Sequence, residues 1–72
     1  MSLNISKKIS SCYDYVDLAE TAALNGATSD SNRYWRNAVN IAITLLDDHN
    51  PGYFSDEEYY FLLQISKHFK DY

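Results

Sequence analysis

Apolar residues recur through most of the chain at the three- and four-residue spacing that places them on one face of an α-helix. Over about 4–24 they form a heptad-like seam. Gly26 follows, and glycine readily ends a helix because it adopts the left-handed backbone conformation without strain. This pattern predicts a first amphipathic helix whose seam consists of Ile5, Ile9, Cys12, Val16, Ala19 and Ala23.

A second apolar pattern, over about 32–48, is wider than the first and covers about 200° of a helical projection. We expect Ser29, Asp30 or Ser31 to cap its start, and the Asn-Pro-Gly sequence at 50–52 to end it. A helix with so wide an apolar face needs two neighbours, so we predict that it is the central helix. Its apolar positions are Tyr34, Trp35, Ala38, Val39, Ile41, Ala42, Ile43, Leu45 and Leu46.

A third helix, over about 56–70, carries a complete set of start signals. Ser55 is the predicted N-cap, and Glu58 is its capping-box partner at the third helical position. Phe54 and Tyr59 occupy the two positions of a hydrophobic staple. The predicted core face consists of Leu62, Ile65, Phe69 and Tyr72.

The connections between these segments are short, so consecutive helices should pack antiparallel. We therefore predict one all-α domain over 1–72, a small antiparallel up-down-up three-helix bundle. The single cysteine, Cys12, excludes an intramolecular disulfide and indicates a reducing compartment such as the cytoplasm. No segment approaches the roughly 18–20 apolar residues of a membrane span, and no secretory signal is expected.

Negative charge is concentrated at one predicted end of the bundle. The formal net charge of −4 argues against direct nucleic-acid or membrane binding but permits a basic protein partner. The acidic residues stabilise helix starts in one interpretation, and imitate a phosphate array in the other. We call this group the acidic pole, and it consists of Asp47, Asp48, Asp56, Glu57 and Glu58.

Aromatic residues are more numerous than three short helices can bury, with seven tyrosines in 72 residues. We expect Phe61 and Leu63 to project from the two flanks of the third helix, and Tyr60 from its outer face. Because Tyr, Phe and Trp are enriched at interface hot spots, these side chains indicate a protein-binding surface. The predicted binding residues are Asp47, Asp48, Tyr53, Asp56, Glu57, Tyr60 and Phe61.

The segment 47–58 also resembles the calcium-binding loop of the EF-hand. Its first, sixth and twelfth positions hold Asp47, Gly52 and Glu58, as that loop requires. Its third and fifth positions, where oxygen ligands belong, hold a histidine and a proline. The resemblance implies at most a degenerate calcium loop, and we expect helix capping to explain the same residues.

No other chemistry is indicated by the residue spacing. No zinc-ligand spacing, catalytic triad or phosphate-binding loop occurs, so we expect neither a cofactor nor enzymatic activity. A helix-turn-helix DNA reader shares the topology, but the third helix opens with three acidic residues that would repel phosphate. We therefore expect an inhibitor or modulator of a nucleic-acid-binding protein, such as a phage or mobile-element antirepressor. A homo-oligomeric structural protein and a DNA-binding domain are the alternatives.

Overall fold

The computed structural model describes residues 3–68, which form three α-helices and no β-strand. Helix α1 spans Leu3–Leu24, α2 spans Thr28–Asp48 and α3 spans Asp56–Ser66. A short 3-10 turn at Pro51–Tyr53 lies between α2 and α3. The predicted all-α, three-helix fold class is confirmed. Within this part of the chain, none of the helices combines the length and the apolar character needed to cross a membrane.

Two hydrogen bonds tie α1 to α2 by joining a side chain of one helix to the backbone of the other. The Cys12 thiol donates to the carbonyl of Ala38 at 3.4 Å. The Ser31 hydroxyl donates to the carbonyl of Ala19 at 2.8 Å. The earlier residue of α1, Cys12, thus pairs with the later residue of α2, Ala38, and the later residue of α1, Ala19, pairs with the earlier residue of α2, Ser31. The two helices are therefore antiparallel.

Small side chains make this close contact possible. Cys12, Ala19, Ala38 and Ala42 are completely buried, and Ser31 is 6% exposed. Because the distance between packed helices depends on the side chains at their contact, these residues bring the two backbones together. The core is completed by larger apolar residues: Ile5, Ile9, Val39, Leu45, Phe54, Leu62 and Ile65.

Helix α2 packs against both α1 and α3, so the prediction that it is the central helix is confirmed. Phe54, just before α3, lies edge-on to His49, just after α2, with ring centroids 6.4 Å apart. At the opposite end, the ring of His68 stacks on Trp35 at 3.9 Å. The end of α3 therefore lies toward the start of α2.

The start of α2 differs from the prediction. The helix begins at Thr28 rather than at about 32, and Ala27 is its N-cap residue, without a side-chain cap. Ser29, Asp30 and Ser31 all lie inside the first turn, so none of them is the cap.

The tight connection between α1 and α2 explains this early start. Gly26 has a φ of +78°, and the amides of Gly26 and Ala27 donate to the carbonyls of Ala23 and Ala22. This pattern is a Schellman motif, which closes α1 and reverses the chain within a few residues. The Ser31 side chain bonds to α1 and is not available as a cap.

The start of α3 agrees with the predicted capping box. The Ser55 amide donates to Glu58 Oε1 at 2.8 Å, and the Glu58 amide donates to Ser55 Oγ at 3.1 Å. Leu62 and Ile65 are buried as predicted. The helix ends at Ser66 rather than at about 70. The predicted core residues Phe69 and Tyr72 lie outside the described residues.

The seam of α1 is buried at Ile5, Ile9, Cys12 and Ala19, and Val16 is partly buried. Ala23 is exposed, which contradicts its predicted place in the core. It lies in the last turn of α1, where the Schellman motif begins to turn the chain away.

The close α1–α2 contact predicts that added volume at Ala38 is destabilising. Ala38→Leu should lower the free energy of unfolding by about 1–3 kcal/mol, because overpacking forces shifts of the backbone or of rotamers. Ala23→Leu is the matched control on an exposed position and should change it by less than about 0.5 kcal/mol. Urea denaturation measures both, and equal effects would show that the seam is not tightly packed.

The two helix starts give a second prediction. Ser55→Ala should destabilise the protein by about 1 kcal/mol, because it removes the side-chain acceptor of the capping box. Ser29→Ala, at a position first predicted as a cap, should be neutral or slightly stabilising, since alanine has the higher helix propensity. Thermal denaturation followed by circular dichroism compares them, and a larger loss at Ser29 would contradict the observed start of α2.

Candidate protein-binding surface

Three of the five residues of the acidic pole stabilise the helix that carries them. Asp56, Glu57 and Glu58 form the first turn of α3, and Glu58 is part of the capping box. Carboxylates at this end of a helix interact favourably with its dipole, typically by about 0.3–1 kcal/mol each. Capping and helix electrostatics therefore account for this part of the pole.

The other two residues of the pole oppose the dipole of their own helix. Asp47 and Asp48 are exposed and are the last two residues of α2, whose final turn contains no basic residue. A negative charge is disfavoured there, because the free carbonyl groups already make the C-terminal end of a helix negative. A contribution to helix stability therefore does not explain why aspartates occupy positions 47 and 48.

Glu57, Tyr60 and Phe61 form one continuous patch, because residues three and four apart share a helix face. Tyr60 is 65% exposed. Phe61 is partly buried, and its ring stacks on Tyr13 of α1 with centroids 4.0 Å apart and an interplanar angle of 14°. Phe61 therefore projects less than expected, and Tyr13, which is 41% exposed, joins the surface.

The carboxylates at the start of α3 act electrostatically on Tyr13. Burial raises the pKa of its phenol, and the negative charges of Glu57 and Glu58 raise that pKa further. The phenol consequently stays neutral to higher pH than an isolated tyrosine does. We refer to Tyr13, Asp56, Glu57, Tyr60 and Phe61 together as the α3 patch.

The remaining predicted binding residues lie apart from this patch. Asp47 lines a shallow cleft between α2 and α3, together with Ile43, Leu46 and Ser66. Tyr53 lies in the 3-10 turn with its ring 5.6 Å from that of His49, and it is 47% exposed. The predicted surface is thus divided into the α3 patch and a second group at the end of α2 and in the following turn.

The segment that resembles a calcium loop is organised by helix capping. The Glu58 oxygen Oε1 accepts a hydrogen bond from the Ser55 amide, so this oxygen already has a backbone donor. Within residues 3–68, no group of three or more His, Cys, Asp or Glu side chains is arranged to hold a metal ion. The residues at 47–58 that match the calcium loop thus lie at the end of α2 and at the capped start of α3.

Cys12 is buried in the α1–α2 seam, and its environment favours the thiol. Burial raises the pKa of this group from 9.0 to about 11. Since the thiolate is the nucleophilic form, the side chain is poorly suited to catalysis near neutral pH. Its contact with the Ala38 carbonyl gives it a structural role.

Comparison of the chain with protein-family models, with curated proteins and with solved structures gave no match.

Replacing an aspartate by asparagine should have opposite effects on stability at the end of α2 and at the start of α3. Asp48→Asn should raise the free energy of unfolding, because it removes a charge that opposes the dipole of α2. Asp56→Asn should lower it, because it removes a charge that complements the dipole of α3. Each change should be about 0.3–1 kcal/mol at low ionic strength.

Thermal denaturation at low and at high salt measures both effects. Both should shrink in high salt, where exposed charges are screened. Destabilisation by Asp48→Asn would show that this carboxylate supports the fold.

Proposed function

We propose that the protein is a non-enzymatic binding module that inhibits or modulates a nucleic-acid-binding protein by occupying its basic surface. The observation that carries this proposal is the position of Asp47 and Asp48 against the dipole of α2. Residues that break a local stability rule without a compensating contact are characteristic of functional surfaces. Carboxylates in this position suit the recognition of a cationic partner.

The charges of the acidic pole are not neutralised by ion pairs within residues 3–68, so they are available to an external partner. Within residues 3–68, the ion pair in the structure joins Arg33 to Asp30 at the start of α2, and no carboxylate of the pole takes part in one. An unpaired group of carboxylates attracts a basic surface over about a Debye length and accelerates encounter with it. The pole therefore provides the long-range part of the proposed recognition.

Exposed aromatic side chains beside the pole provide the short-range part. Tyr60 is 65% exposed, Tyr53 is 47% exposed and Tyr13 is 41% exposed. Tyrosine gives a large contact area for little loss of side-chain entropy, and it is enriched among hot-spot residues. In the proposed complex, the carboxylates replace phosphate groups and these rings form the desolvated centre.

The chemistry of the surface suits a cytoplasmic partner such as a repressor or a nuclease. Such proteins bind nucleic acid through Lys and Arg, and a carboxylate array competes for the same side chains. We propose an antirepressor-like role of the kind that phages and mobile elements use. Self-association is the second candidate. It would use the outward side of α3, where Tyr60 is 65% exposed.

A capture experiment tests the proposal with a variant that separates binding from stability. The tagged protein is incubated with lysate of its native cells, and the bound proteins are identified at low and at high salt. We expect one dominant basic partner that is lost at high salt. The double variant Asp47→Lys and Asp48→Lys should lose this partner and melt at a higher temperature than the parent, since lysine complements the end of α2.

The matched control carries the same change in net charge on exposed positions of α1. Asp14→Lys with Glu20→Lys should retain the partner. Equal loss in both double variants would mean that net charge alone governs binding. Retention of the partner by the Asp47 and Asp48 variant, or capture of the protein's own copies alone, would contradict the proposal.

A further inference from the structure

Tyr13 of α1 and Phe61 of α3 form a stacked pair of aromatic rings between the two helices. Their planes are inclined by 14° and their centroids are 4.0 Å apart. Phe61 is partly buried against the core, whereas Tyr13 is 41% exposed. Tyr13 is therefore the outer ring of the stacked pair, and it retains exposed surface that a partner can cover.

The carboxylate of Glu57 lies one helical turn from Phe61 of this stacked pair. Glu57 is exposed and precedes Phe61 by one turn on the same face of α3. Glu58 is close as well, but its oxygen Oε1 accepts the Ser55 amide in the capping box. Glu57 is thus the carboxylate that remains available next to the Tyr13 ring.

Elsewhere in the chain, an exposed arginine lies near both a tyrosine ring and a carboxylate. The guanidinium of Arg33 lies over the ring of Tyr34, 5.6 Å from its centroid. Its nitrogen Nη2 also lies 3.1 Å from the carboxylate oxygen Oδ1 of Asp30. Among residues 3–68, Arg33 is the one cation that lies over an aromatic ring, so no cation of this part of the chain covers Tyr13.

We propose that Tyr13 and Glu57 form a receptor for an arginine side chain of the protein partner. This inference rests on the proposed function and specifies which cation the surface selects. A guanidinium is planar and weakly hydrated, so it stacks on a ring while its edge donates hydrogen bonds to a carboxylate. A lysine ammonium is a compact, strongly hydrated charge, and it gains less from the ring.

The test compares nona-arginine with nona-lysine as probes of equal charge on the full-length chain. Fluorescence anisotropy of labelled peptides at low salt gives the two dissociation constants. The parent should bind nona-arginine about two- to fivefold more tightly than nona-lysine, the factor expected of one exposed cation–π contact. Glu57→Gln should weaken the binding of both peptides.

Two matched variants locate the preference. Tyr13→Leu keeps an apolar contact with Phe61 but removes the outer ring, so the arginine preference should disappear. Tyr15→Leu makes the same change at a partly buried tyrosine of α1 that has no part in the proposed binding surface, and it should leave the preference unchanged. Circular dichroism checks that both variants remain folded.

Equal affinity of the parent for the two peptides, or a preference that survives in Tyr13→Leu, would overturn the arginine receptor and leave the proposed function standing. Absence of binding to either peptide at low salt would overturn both, because the acidic pole would then fail to attract any basic segment.

Discussion

The close approach of α1 and α2 is the constraint on which the rest of the structure depends. Two side-chain-to-backbone hydrogen bonds, from Cys12 and from Ser31, span this contact, and small residues lie beside both bonds. The larger buried residues of these two helices, such as Ile5, Ile9 and Leu45, complete the core. Leu45 and Leu62 are the largest completely buried side chains. Phe54 is in the core, whereas Trp35 and Phe61 are partly buried at its edge.

Two aromatic stacks at the edge of the core add to the burial of Leu62 and Ile65 in joining the third helix to this pair. The Tyr13–Phe61 stack links α1 to α3, and the Trp35–His68 stack links α2 to the residues just after α3. Rings at an edge are covered on one side and accessible on the other. In the proposed complex, Tyr13 would both help to hold α3 in place and contact the partner, so packing and recognition would share this residue.

Features that depend on neighbours in the chain could be predicted from the sequence, and features that depend on other helices could not. The capping box of Ser55 and Glu58 is complete within four residues, so its pattern was sufficient. At the start of α2 several polar residues were equally plausible caps, but the helix begins at Thr28 and none of them is the cap. Ser31 instead bonds to α1, a contact that the local sequence does not reveal. The position of Tyr13 beside Phe61 could not be predicted for the same reason, since its stacking partner lies on another helix.

The acidic pole combines two relations between charge and stability. At the start of α3, the dipole that stabilises Asp56 partly offsets its negative potential toward an approaching cation. At the end of α2, the dipole destabilises Asp48 but adds its own negative partial charge to the potential outside. The carboxylates that contribute least to folding are thus the ones whose field is strongest toward a basic partner. Stability and affinity should oppose each other at Asp47 and Asp48, whereas at Asp56 the same carboxylate serves both.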